Sequence, residues 1–333
     1  MNKKKGRNIA RNKLVAMSLA AIMTVGMGSV TALAESEADS RERGISSYSF
    51  FDELFGQDYE NGYGESPQNI YREYKGLTSV SNKLVSAYKR KDISLNGKTA
   101  SVKGITVNGI EYIPFRQTAN LLGASYNYNS SEGTSTMTKG GLTLSATSGN
   151  YVIYASGRVL FSTSPTLIMN DGRMYIPAEI FAKATGLKMS ASSLSVSFSG
   201  SFSPLKSADS YYRADEVLWL ARIIHAESRG EPLLGQIAVG NVVLNRVKSK
   251  DYPNTIYGVI FDRKYGVQFS PVLDGSIYNT PSYNSTLAAK ICLEGFDTSE
   301  GALFFLRPEM STSSWIPNNR PYLFSVGKHD FYK

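Results

Sequence analysis

One segment of this chain is written twice. Val107-Asn108-Gly109-Ile110-Glu111-Tyr112-Ile113-Pro114 aligns with Asn170-Asp171-Gly172-Arg173-Met174-Tyr175-Ile176-Pro177. Beyond each proline, Ala119-Asn120-Leu121-Leu122-Gly123 aligns with Ala182-Lys183-Ala184-Thr185-Gly186, and the offset stays at 63 residues without a gap. Self-similarity at a fixed spacing commits this stretch to a repeated unit. Each copy reads as a turn at Asn/Asp-Gly, a short strand, then a helix opened by proline and closed by glycine. Between the copies, Gly141 to Phe161 alternates apolar and polar residues as strands do. Residues 91–200 are therefore expected to form a duplicated small α/β (strand-turn-helix) module.

The chain opens on Lys3, Lys4, Lys5, Arg7, Arg11 and Lys13, followed by a mostly apolar run from Leu14 to Val30 and by Ala32-Leu33-Ala34. That is the layout of a signal peptide, residues 1–34, and it predicts a secreted protein. Ser18, Thr24, Gly26, Gly28 and Ser29 interrupt the run, so no stable membrane span is expected. Without the six basic residues of the leader, thirty Lys and Arg face 28 Asp and Glu. The charge is unevenly placed: residues 35–75 hold ten acids and four bases, so the rest of the chain is basic. Residues 35–90 read as an acidic flexible linker, and the basic body suits an anionic wall polymer. Nucleic acid is not expected, because no Lys/Arg cluster with interleaved aromatics follows the leader.

Cys292 is the single cysteine and excludes an intrachain disulfide; its helical apolar surroundings suit a buried small hydrophobe. His225 and His329 match no zinc motif, and neither a nucleophile elbow nor a phosphate-binding glycine loop is present. No metal and no cofactor are expected. Ser197 to Ser207 reads as a short linker, which leaves residues 210–333 as a mainly helical α+β domain long enough to hold its own core.

In that domain Val217, Leu220, Ala221 and Ile224 form the apolar stripe of a helix, with Asp215 expected as its N-cap and Gly230 and Pro232 as its stop. Glu227 then lies in the last turn, where the negative end of the helix dipole should disfavour its charged form and raise its pKa, as a general acid requires. Glu231 is expected at the start of the next helix, where positive N–H groups favour ionisation. The pair reads either as acid and base or as two solvated or capping residues. Further on, Pro253 is expected to open a short helix, Leu287 to Leu293 to form another, and Ala302–Phe305 and Tyr322–Phe331 to be strands.

Two resemblances attach to these residues. The duplicated unit resembles the copper amine oxidase N-terminal-like domain, read as a wall-binding or spacing module or as a purely structural one; residues 91–200 contain no His and no Cys to hold copper. Residues 213–333 resemble the catalytic domain of the spore-cortex-lytic cell-wall hydrolases of the SleB type. The blocks that carry this are Ala226-Glu227-Ser228-Arg229-Gly230-Glu231-Pro232, Gly235-Gln236-Ile237-Ala238-Val239, Val242-Val243-Leu244-Asn245-Arg246-Val247, Gln268-Phe269-Ser270-Pro271-Val272 with Asp274-Gly275, and Val326-Gly327-Lys328-His329. Phe304-Phe305-Leu306-Arg307-Pro308 and Ile316-Pro317-Asn318-Asn319-Arg320 depart from the family pattern.

The resemblance implies a lysozyme-like fold and lytic transglycosylase chemistry on peptidoglycan glycan strands, with Glu227 as the catalytic acid. Phe269, Ser270, Asp274 and Trp315 are candidates for lining the sugar site, and Arg229 and Glu231 for supporting it. The alternatives are a hydrolytic N-acetylmuramidase, with Glu231 or Asp274 positioning water, and a non-catalytic wall-binding protein. No protein partner is identifiable from the sequence.

Overall fold

The structure, a computed structural model, describes residues 89–169, 171–264, 266–311 and 314–333. The signal peptide expected at 1–34 and nearly all of the linker expected at 35–90 lie outside these residues. The described part is α+β, with a β-rich domain followed by a helical one.

The first domain runs β1 (Lys89–Leu95), β2 (Lys98–Thr99), β3 (Gly104–Val107), β4 (Ile110–Pro114), α1 (Phe115–Leu122), β5 (Ser125–Asn129), β6 (Thr134–Lys139), β7 (Leu142–Thr147), β8 (Val152–Ala155), β9 (Arg158–Phe161), β10 (Leu167–Ile168), β11 (Met174–Pro177), α2 (Ala178–Thr185), β12 (Lys188–Ala191) and β13 (Ser195–Ser199). The two copies of the repeat pair with each other. β4 and β11 lie antiparallel with Ile113 opposite Ile176, Pro114 opposite Tyr175 and Tyr112 opposite Pro177. The duplicated tripeptide thus faces itself across a local two-fold axis at the isoleucine pair. Pro114 and Pro177 are the N-caps of α1 and α2, and Gly123 and Gly186 close those helices in the left-handed region at φ 70° and 71°, where glycine avoids the Cβ penalty.

These pairs sit in an eight-stranded sheet ordered β10-β11-β4-β3-β1-β13-β12, with β2 on β1, while β5 to β9 form a separate meander. One core joins both sheets and both helices, through Ile93, Phe115, Leu144, Ile176, Phe181 and Phe198. The linker expected from Ser197 begins later than its composition suggests. Ser195–Ser199 pairs parallel with β1, and Val196 and Phe198 are buried between serines that face outward. Small polar residues at every second position are a strand with one buried face as well as a linker composition.

The second domain runs α3 (Ala208–Tyr211), α4 (Ala214–Ser228), α5 (Leu233–Lys248), α6 (Ile256–Ile260), α7 (Pro271–Asp274), a 3₁₀ turn (Ser276–Tyr278), α8 (Tyr283–Leu293), β14 (Phe304–Leu306), α9 (Trp315–Asn319), β15 (Tyr322–Val326) and β16 (His329–Tyr332). Leu220, Ala221, Ile223 and Ile224 of α4 are buried with Ile237 and Val243 of α5 and Ala288, Ile291 and Cys292 of α8. Each fully buried aliphatic side chain contributes about 1.5–3 kcal/mol. Cys292 is buried there, and burial pushes its thiol pKa up, in keeping with a packing role.

Helix starts differ from expectation by one or two residues. The N-cap of α4 is Arg213, and Asp215 lies in the first turn, paired with the Arg213 guanidinium at 3.1 Å. The N-cap of α6 is Thr255, whose hydroxyl accepts from the Gly258 N–H, rather than Pro253. Strands β14, β16 and β15 form a three-stranded sheet against α5.

The two domains share a buried interface. Val159 of β9 belongs to the core of the second domain. Beside it, Arg158 donates from Nε and Nη2 to both carboxylate oxygens of Glu294, each at 2.7 Å. The Tyr212 hydroxyl donates to the same carboxylate at 2.8 Å, and Lys183 Nζ donates to the Glu294 carbonyl at 2.8 Å. Phe161 and Phe296 close the contact edge to face, with centroids 4.6 Å apart.

Candidate active site

Glu227 occupies the final turn of α4, as its spacing predicted, and is partly buried. Its carboxyl pKa is pushed up to about 7, first by burial and then by the Asp274 charge, against His329 and Arg246, which act to lower it. The direction is the one read from sequence, and loss of water at a buried carboxyl is its largest cause.

The Glu231 carboxylate serves the scaffold. It precedes α5 rather than starting it, and Pro232 is the N-cap. Its Oε2 accepts from the Lys328 N–H at 2.8 Å, and Oε1 lies 3.7 Å from His329 Nδ1, an electrostatic contact longer than a hydrogen bond. Burial acts to raise its pKa, but His329 and the Lys328 N–H together hold it below the usual carboxylate range. Glu231 thereby ties the loop after α4 to the β15–β16 turn. Gly327 in that turn has φ 59°, and a Cβ there would overlap Glu231 Oε2. The same loop is held from behind. Gln236 Nε2 donates to the Glu231 carbonyl at 3.0 Å, while its Oε1 accepts from the Ser285 hydroxyl at 2.9 Å.

The other expected site residues are distributed around this centre. Asp274, at the end of α7, is exposed; its pKa is lowered by hydrogen bonds from Ser276, so it is ionised, and its charge reaches Glu227. Ser270 is exposed and its hydroxyl makes no capping bond. Phe269 is only 3% exposed and belongs to the core, so its ring supports the site from beneath instead of facing a sugar. Trp315 is 52% exposed and lies 6.3 Å from the Phe304 ring. The Arg229 side chain is exposed, its backbone N–H caps His225 O at 3.2 Å, and the group that feels its charge is His225. It is placed at the helix end rather than against Glu227.

Arg246 was not singled out from sequence and belongs to the site. It is 5% exposed on α5, and its guanidinium lies 5.0 Å from the Tyr252 ring, 5.1 Å from Phe269 and 5.6 Å from Phe304. Nε donates to Leu303 O at 2.8 Å, whereas the buried Nη1 has no partner among the described residues. A cation held by aromatic faces with an unsatisfied donor costs free energy in an apolar setting. Its sequence signal was available, since Val242, Val243 and Arg246 recur on one buried helix face. Phe304 links this cage outward to Trp315.

The site is thus one carboxyl that holds its proton near neutrality, one carboxylate committed to the scaffold, one exposed carboxylate and one buried cation. Among the described residues no group of three His, Cys, Asp or Glu is placed to hold a metal ion.

Residues 230–332 match the family model described as Cell Wall Hydrolase, and residues 94–197 match that of the copper amine oxidase N-terminal domain. The C-terminal domain belongs to the cell wall hydrolase family. Over 122 residues the chain is 42% identical to a spore cortex-lytic enzyme of Bacillus cereus, covering 37% of this chain and 46% of that protein. Over 117 residues it is 39% identical to the spore cortex-lytic enzyme of Bacillus subtilis, covering 35% of this chain and 37% of the relative. The chain therefore spans less than half the length of these relatives. Among solved structures, the catalytic domain of the germination-specific lytic transglycosylase SleB from Bacillus anthracis is 42% identical, covering 37% of this chain and 97% of that one, with a TM-score of 0.34. Glu231, Arg246 and His329 lie inside the matched span of the cell wall hydrolase domain, and Glu227 lies just ahead of it.

Proposed function

We propose that this protein is an exported lytic transglycosylase that cuts peptidoglycan between N-acetylmuramic acid and N-acetylglucosamine, in spore cortex or in wall undergoing remodelling. Glu227 protonates the glycosidic oxygen, and the C1–O bond breaks through an oxocarbenium-like state. The resulting carboxylate then takes the proton from the muramyl C6 hydroxyl as O6 closes on C1. The product is a 1,6-anhydro ring, no water is consumed, and Glu227 recovers its proton.

The observation that carries this reading is the carboxyl with a pKa of about 7 beside a Glu231 committed to Lys328 and His329. A pKa near the working pH suits one group that gives and then takes a proton. The repeat domain, docked through Arg158 and Glu294, is the part suited to holding the enzyme on the wall.

A second reading rests on Asp274, the exposed carboxylate whose charge reaches Glu227. In a hydrolytic muramidase it would position the attacking water. Mass spectrometry of muropeptides released from purified sacculi and decoated spores by the full chain separates these readings. Anhydromuramic ends, absent with Glu227→Gln, are the expected result. Reducing ends, lost with Asp274→Asn, move the mechanism to hydrolysis. Release of nothing from either substrate, with binding retained, assigns a non-catalytic role.

A further inference from the structure

An aromatic shelf lies on the flank of α4 and takes no part in the chemistry above. The Trp219 ring meets Tyr257 at 5.1 Å, Phe261 at 5.3 Å and Tyr278 at 6.2 Å, all edge to face. Tyr257 and Phe261 meet at 4.4 Å. Buried clusters of this kind are ordinary core, but here Tyr257 is 52% and Tyr278 59% exposed. The Arg222 guanidinium lies 4.9 Å from the Trp219 ring, and its buried Nε has no partner among the described residues. Exposed rings beside a guanidinium form a surface of apolar faces with a cation at its edge.

The shelf is continuous with the site of Glu227. Trp219 and Glu227 share α4, eight residues apart, which is about 12 Å along the axis and about 80° around it. Asp274, whose charge reaches Glu227, is followed by the 3₁₀ turn Ser276–Tyr278, which carries Tyr278 to the Trp219 ring. One short segment therefore borders both places.

We infer that this shelf binds the same glycan strand at sugars beyond the cleaved bond, with Trp219, Tyr257 and Tyr278 against the C–H faces of N-acetylated sugars and Arg222 donating to an acetamido or lactyl oxygen. The inference rests on the function proposed above. Its occupant is a polymer that must extend past the reacting bond in both directions, and aromatic rings with adjacent donors match the alternating apolar faces and polar edges of a pyranose.

The chain has two tryptophans, so Trp315→Phe leaves Trp219 as the only indole. In the full chain carrying Trp315→Phe and Glu227→Gln, titration with β-1,4-linked N-acetylglucosamine oligomers should shift Trp219 emission, with affinity rising with oligomer length. Adding Tyr257→Ala and Tyr278→Ala, both surface positions, should weaken that binding about tenfold while leaving the melting temperature within a few degrees. With Glu227 restored, the same tyrosine pair should slow cleavage of long strands about tenfold and leave short muropeptide fragments unaffected. Unchanged emission, or equal affinity with and without the tyrosines, overturns the shelf even if Glu227 cleaves glycan. Emission that shifts with protein concentration alone assigns the surface to a second copy and overturns it too. If the chain releases no fragments but the emission shift and its loss are seen, the catalytic reading fails and the shelf stands.

Discussion

Glu227 holds its proton because water is kept from it, and the same fact has a thermodynamic cost. Its folded pKa of about 7 lies above the ordinary 4.5, so the folded state binds this proton more tightly than the unfolded chain does. The penalty is absent below pH 4.5, grows between the two values and is complete above about 7. Glu227→Gln should therefore raise stability by about 1–3 kcal/mol at pH 8, after allowance for partial exposure, and by nothing measurable at pH 4. Melting curves at the two pH values check this. Activity of the unsubstituted enzyme should fall as pH rises through about 7, as the acid form is lost. The position of this residue in the last helix turn, and the upward direction of its pKa, were legible in its motif and spacing. The magnitude of its pKa was not, because it depends on burial and on Asp274, His329 and Arg246, which lie outside its helix.

At the scale of elements, the loop after α4 is held by the turn between β15 and β16. Glu231 accepts from Lys328 and faces His329, and Gly327 is the residue that lets them approach. Gly327→Ala should destabilise the protein by about 1–3 kcal/mol, combining the left-handed φ with displacement of Glu231. Because that displacement moves the loop that directly follows the Glu227 turn of α4, activity should fall at temperatures where the variant is still folded. Circular dichroism melts beside cleavage rates on one substrate separate the two effects. Glu231 illustrates how far a motif can be read. Its sequence placed it near a helix start, but its partners come from the last strand pair, and no local spacing announces a contact across 97 residues.

At the scale of the molecule, the two domains depend on one another. Glu294 is buried and receives Arg158, Tyr212 and Lys183 from outside its own helix. Arg158→Ala leaves that carboxylate without its main partner and should cost about 3–5 kcal/mol; calorimetry of the full chain tests it. The double variant Arg158→Met/Glu294→Leu should recover most of the loss, since removing both charges leaves none unpaired. Residues 210–333 alone should melt below the full chain for the same reason, so cleavage assays belong on the complete protein.

The sequence by itself determined the repeat, its strand-turn-helix grammar and the place of Glu227 at a helix end. Each of these is local: glycines at positive φ, prolines at helix starts and apolar stripes obey rules that act within a few residues. It also showed Cys292 as packing, because an apolar helical stretch has one plausible fate. Tertiary structure alone decided that the two copies of the repeat pair across Ile113 and Ile176, that a serine-rich stretch completes a sheet, and that Phe269 supports the site from below. It alone brought Arg246 to Glu227 and Arg158 to Glu294. Burial and charge act through space, and the distances that set them are created only when the chain closes on itself.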